Sequence, residues 1–193
     1  GKLTIDDFDL WAYLQDTILI DCSTLNKPPS LIVRNSVLRG NTPRSDPPTR
    51  SGRAVSTYQC NLHAHGNLFG VPTFSQATSP TALTHPIGIS LGESNKPTLV
   101  LIENNVFAGL SSFAVDLSGA RGNAYKHVTR LNTFVGNGRS TMPGGLICAS
   151  LIDATGEQIV SHNLFVNPLS AGTRFGSPAR GTMRNNSAAS SGT

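Results

Sequence analysis

What the chain lacks narrows it first. Charged residues fill only 13% of its 193 positions, against about 25% in an ordinary soluble domain. Aromatics are 6%, with a single Trp. No stretch approaches the roughly 20 apolar residues of a membrane-spanning helix. The three cysteines, Cys22, Cys60 and Cys148, are odd in number, far apart and without the CxxC spacing of a zinc site. Each lies in an apolar run, so the expected role is a small buried core residue; a single disulfide is the alternative in a secreted protein. P-loop, dinucleotide and nucleophile-elbow motifs are missing. The net charge is +4, with 11 Arg and 4 Lys. Yet Arg34, Arg39, Arg44, Arg50 and Arg53 are scattered and not interleaved with aromatics, so the clustered footprint of a nucleic-acid surface is absent.

Ser, Thr, Asn and Gly supply the polar bulk instead, and these favour turns and strand faces over helices. A phrase recurs: an apolar stretch, Asn, one residue, a large apolar residue, then a small or polar turn. It is centred on Asn35, Asn67, Asn105, Asn132 and Asn163, with a frayed copy at Asn186. The spacings, 32, 38, 27, 31 and 23 residues, fall in the range of stacked repeats. Short strands and turn residues in each unit predict a β-coil. A corner in such a coil needs positive φ, which Asn tolerates. Stacked coils then bring equivalent Asn amides about 4.8 Å apart, close enough for a side-chain ladder. Val37, Phe69, Phe107, Phe134 and Phe165 are expected to point inward as a core column.

Residues 1–16 read differently. Thr4 as a cap, early Asp residues and the apolar set Phe8, Trp11, Ala12 and Leu14 predict a short helix, with Trp11 closing the core. This segment is an N-terminal cap or an irregular coil. Residues 17–187 form the repeat body, and 188–193 a tail or the stump of a further coil. Two Pro-bearing excursions, 41–53 and 72–97, interrupt the strands.

The runs Ile102-Glu103-Asn104-Asn105-Val106-Phe107-Ala108-Gly109 and Thr129-Arg130-Leu131-Asn132-Thr133-Phe134-Val135-Gly136-Asn137 resemble coils of the right-handed parallel β-helix, the pectate-lyase-like superfamily. The resemblance covers roughly residues 17–187 and implies an all-β solenoid of about six coils. It embraces polysaccharide lyases and hydrolases, adhesins, surface proteins and viral tail proteins, so fold alone does not select a function. The polygalacturonase-type signatures (Asn-x-Asp, Asp-Asp, Gly-His-Gly, Arg-x-Lys) are not matched. Asp6-Asp7 lies in the first segment, and His65-Gly66 lacks a preceding Gly. Five of the 11 acidic residues precede the first repeat, which leaves few for a calcium-dependent lyase face.

Aligning the marker Asn residues puts Val33, His65, Glu103, Arg130 and Ser161 in one column. His65, Glu103 and Arg130 are the candidate catalytic trio: His and Glu for proton transfer, Arg for a uronate carboxylate. The plainer reading of the same trio is a surface ion pair beside a His. His63 alternates with His65 and shares its face. Asp116 and Asp153 are the candidate metal ligands, and calcium is the ion their chemistry fits; no other cofactor is expected. The leading expectation is a non-catalytic extracellular, cell-surface or virion-associated β-solenoid, binding polysaccharide or neighbouring subunits, itself included. A lyase or glycoside hydrolase is the second, and a segment of a longer solenoid the third.

Overall fold

The structure, a computed structural model, describes residues 1–12, 16–40, 42–43, 52–73, 83–84, 87–92, 98–110, 113–116, 125–137, 147–149, 157–166, 173–175 and 181–189. Their regular structure is entirely β. Sheet I joins β1 (Lys2–Asp6), β4 (Ser30–Arg34), β8 (Asn61–His65), β12 (Thr98–Glu103), β15 (Tyr125–Arg130), β18 (Glu157–Ser161) and β21 (Gly181–Arg184). Sheet II joins β2 (Asp9–Ala12), β5 (Val37–Gly40), β9 (Leu68–Gly70), β13 (Val106–Ala108), β16 (Thr133–Val135), β19 (Leu164–Val166) and β22 (Ser187–Ala189). Sheet III joins β3 (Ile18–Asp21), β7 (Arg53–Tyr58), β11 (Ile87–Leu91), β14 (Phe113–Asp116), β17 (Ile147–Ala149) and β20 (Thr173–Phe175). The chain visits the three sheets in rotation. Each strand pairs in parallel with its counterpart from the previous round. This arrangement is compatible with a parallel β-solenoid.

The helix expected within residues 1–16 is not formed. Its residues make β1 and β2, which pair with β4 and β5. The apolar spacing read there as a helical stripe is an alternation broken by a corner at Asp7, whose φ is 61°. Leu10 packs against the core, whereas Trp11 is turned outward beneath the Arg39 guanidinium, 5.2 Å from the ring centroid. The two excursions are tied together. β6 (Thr42–Pro43) and β10 (Leu83–Thr84) form a small antiparallel pair.

Inward residues of sheet II build the core column. Phe69, Phe107, Phe134 and Phe165 stack with centroids 4.7, 5.0 and 4.9 Å apart and planes within 8–12° of parallel. The spacing is that of the strands themselves, so each ring covers the next and water is excluded along the whole column. In the first repeat the inward residue is Leu38, fully buried, and not Val37.

Beside this column runs the amide ladder. Asn67, Asn105 and Asn132 each donate Nδ2 to Oδ1 of the next Asn at 2.9, 3.0 and 3.1 Å, and Asn163 donates to Asn186 at 3.0 Å. The same Oδ1 atoms also accept backbone N–H groups of the preceding coil at 2.9–3.0 Å. The ladder Asn residues are not the ones at positive φ. That role falls one residue earlier, on Gly66, Asn104, Leu131, His162 and Asn185. Asn35 belongs to this second set with φ 50°, and Ser36 occupies the ladder place, its N–H donating to Asn67 Oδ1 at 3.0 Å. The first repeat is therefore one residue out of the register expected from its Asn. Asn serves both positions, turning the chain at one and bridging coils at the other, so its presence alone did not distinguish them.

Cys22 and Cys60 form a disulfide across 38 residues, which corrects their expected role as free core residues. Each follows a strand of sheet III at the same corner, where Cys22 N–H donates to Tyr58 O at 2.8 Å. Cys148 lies in β17.

Candidate functional site

The outward face of sheet I carries the residues singled out for chemistry. Alternation along each strand sends one set of side chains into the core and the other to solvent, as the pattern BeBiBi of β12 shows. Strand register places Asp6, Arg34, His65, Glu103, Arg130 and Ser161 in one outward column. The first-repeat member is Arg34 and not Val33, for the reason just given. His65, Glu103 and Arg130 are thus neighbours, as the repeat implied.

Their contacts differ from that alignment in one respect. Glu103 Oε2 accepts from Arg130 Nε at 2.9 Å and lies 2.7 Å from Nη2. Its Oε1 lies 3.1 Å from His63 Nε2, so His63, and not His65, completes the cluster. His65 stacks on His63 with centroids 5.2 Å apart. Strand alternation had put His63 on this face; side-chain reach, which a column of Cα positions does not contain, decides which His meets the carboxylate.

Partial burial of Glu103 opposes its charge, but the hydrogen bonds from Arg130 and His63 outweigh it and hold the carboxyl below its ordinary 4.5. Asp6 is lowered in the same way by hydrogen bonds from Arg34 and Asn35, the Arg34–Asp6 contact being 2.6 Å. Lys126 and Glu157 pair at 3.1 Å on the same outward face, near the opposite end of their strands. A general acid needs a carboxyl raised toward neutrality, and a general base needs a carboxylate open to a substrate proton. Glu103 has both oxygens engaged and its affinity for protons reduced. Arg130 turns its Nε and Nη2 edge to Glu103, and its side chain is about half exposed.

Of the candidate metal ligands, Asp116 ends β14, its backbone in register with Ser90 and Cys148. Asp153 lies outside the described residues. Among the described residues no group of three or more His, Cys, Asp or Glu is arranged to hold an ion. A cavity lined by Thr57, Gln59, Cys60, Leu91, Gly92, Thr98 and Val100 measures about 10 Å³, the size of a single water. No helix among the described residues is long and apolar enough to cross a membrane. No family model, curated protein or solved structure matches the chain.

Proposed function

We propose that this protein is a non-catalytic, extracellular, cell-surface or virion-associated β-solenoid whose work is done by its surfaces, in structural assembly or glycan binding. The observation that carries the reading is the closed state of Glu103, hydrogen-bonded at both oxygens by groups of its own sheet. Such a network fixes the outer face of parallel strands at little energetic cost and leaves neither oxygen of Glu103 free to take a substrate proton. The Cys22–Cys60 disulfide supports an oxidising location. Assembly is favoured by the first round of strands. β1, β2 and β3 end their sheets, and Leu3, Phe8 and Leu19 there are exposed; an uncovered edge with apolar side chains invites another β surface.

The fold in this proposal is a right-handed parallel β-helix of the pectate-lyase-like superfamily. Its support is the repeat phrase, the rotation through three sheets, and the strong right-handed preference of parallel crossovers. Among the described residues, the strands of the three parallel sheets from β1 to β20 fall into successive rounds of three, which supports a reading of about six coils.

The test is incubation with acidic and neutral polysaccharides, with and without calcium. Unsaturated products are followed by ultraviolet absorbance, new reducing ends by a sugar assay and retention by pull-down. The expected result is no cleavage, with or without retention. Cleavage that disappears in Glu103→Gln, with circular dichroism unchanged, overturns the proposal and installs the lyase or hydrolase reading at His65, Glu103 and Arg130.

A further inference from the structure

The corner between sheets III and I is held differently at successive steps. From the first round of strands to the second, the Cys22–Cys60 disulfide crosses it. From the second round to the third, the same corner carries the cavity of about 10 Å³. Its walls come from three strands and a turn. Thr57 and Leu91 stand side by side in register on β7 and β11, Gln59 and Cys60 follow β7, and Thr98 and Val100 are buried residues of β12. At Gly92, which completes the lining, a Cβ would collide with the Tyr58 ring. Ring and backbone are therefore in direct contact, and this wall is tight. Two oxygens of the lining residues are unsatisfied. Thr98 is only 5% exposed. Its Oγ1 and the Oε1 of Gln59 are both buried, with no hydrogen-bond partner among the described residues. A buried polar atom left in that state carries its full desolvation penalty, and native folds rarely leave two on one cavity.

We propose that this cavity is the binding site of one ordered water, which bridges Gln59 Oε1 to Thr98 Oγ1 and so ties the turn after β7 to β12 of the next round. The water donates one hydrogen to Gln59 Oε1, which only accepts. It meets the Thr98 hydroxyl, which both donates and accepts, through its other hydrogen or its oxygen. Size and chemistry select this ligand. About 10–15 Å³ holds a single water, whereas pockets for small molecules begin at roughly 300 Å³. A cation of similar size is excluded by the lining, in which no residue is ionised; a buried charge without a counter-charge is strongly disfavoured. An apolar occupant would leave both oxygens unsatisfied. Water therefore does at this step what sulfur does at the step before. Each links neighbouring rounds at the III–I corner, one by a covalent bond and the other by hydrogen bonds. The site belongs to the scaffold, and a catalytic or a non-catalytic solenoid would hold it alike.

A high-resolution crystal structure of the full chain tests this. The expected result is an ordered water within about 2.7–3.2 Å of both Gln59 Oε1 and Thr98 Oγ1. A direct hydrogen bond between Gln59 and Thr98, or the absence of any water touching both, overturns the bridge. Urea unfolding gives an independent reading. Thr98→Val keeps the shape of the side chain and removes the hydroxyl. If water bridges that hydroxyl, the change deprives the water of a partner and lowers the urea midpoint. If the hydroxyl is merely orphaned, the same change removes an unsatisfied group and raises the midpoint or leaves it in place, which overturns the proposal. Circular dichroism confirms that the variant is folded. Should it not fold, Thr98→Ser, which retains the hydroxyl, serves instead: its crystal structure must keep the same water on the Ser hydroxyl and Gln59, and its loss overturns the site.

Discussion

Asn105 uses its side chain fully. Nδ2 donates to Ala64 O, Glu103 O and Asn132 Oδ1, while Oδ1 accepts from Asn67 N and Nδ2. Only about 1% of the residue reaches solvent. Asn105→Ala therefore strands donors and acceptors on two adjacent coils, each costing about 1–3 kcal/mol when buried. The net loss expected in urea unfolding is about 3 kcal/mol or more. Asn186→Ala, at the half-buried end of the ladder, should cost clearly less. Leu131 presents the opposite case. It holds φ 58°, a conformation that costs a bulky L-residue about 1–2 kcal/mol, and it is 55% exposed, so its side chain gives little back. Leu131→Asn, the residue type already used at Asn35, Asn104 and Asn185, should raise stability by about 0.5–1 kcal/mol in the same measurement.

At the scale of the element, the Phe stack makes the coils cooperative. Phe107 lies between Phe69 and Phe134 at strand spacing. Phe107→Ala opens a cavity in the middle of the column and should cost about 3–5 kcal/mol, measured by chemical denaturation. This column was legible from the sequence in four of its members because Asn-x-Phe fixes the phase: two residues after a bridging Asn, the alternation returns inward. In the first repeat Asn35 holds the turn and Ser36 the bridge, so the same rule pointed to Val37 when Leu38 is the core residue. The strands of residues 2–12 were read as helix because a strand–corner–strand of so few residues mimics the spacing of a helical stripe. His65, Glu103 and Arg130 could be aligned from the repeat, since register is a property of the backbone. The partnership of His63 with Glu103 could not, since it depends on side-chain reach across two strands. The Cys22–Cys60 pair was hidden for a related reason: 38 residues of sequence separate two atoms that the stacking of β3 on β7 brings together.

For the whole molecule, that disulfide and one buried histidine set the conditions under which the stack survives. Closing 38 residues constrains the unfolded chain by about 4 kcal/mol in the loop-entropy account, so Cys22→Ser with Cys60→Ser should lower the urea midpoint by a comparable free energy. His127 acts through pH. It occupies an inward position of sheet I between Val100 and Gln158, and burial pushes its pKa down from 6.5 to about 3. Between those values the unfolded chain binds a proton that the native state excludes, so stability falls as pH falls through this window and is level above it. The slope is at most about 1.4 kcal/mol per pH unit. Glu103 acts lower on the scale. Its folded pKa lies below 4.5, so its contribution is present above that value and lost as pH drops through the folded one. The two groups separate by window: in unfolding curves taken from about pH 7 to pH 5, wild type should weaken steadily while His127→Leu stays flatter. A variant whose pH profile runs parallel to wild type would show that some other group controls the acid sensitivity of the stack.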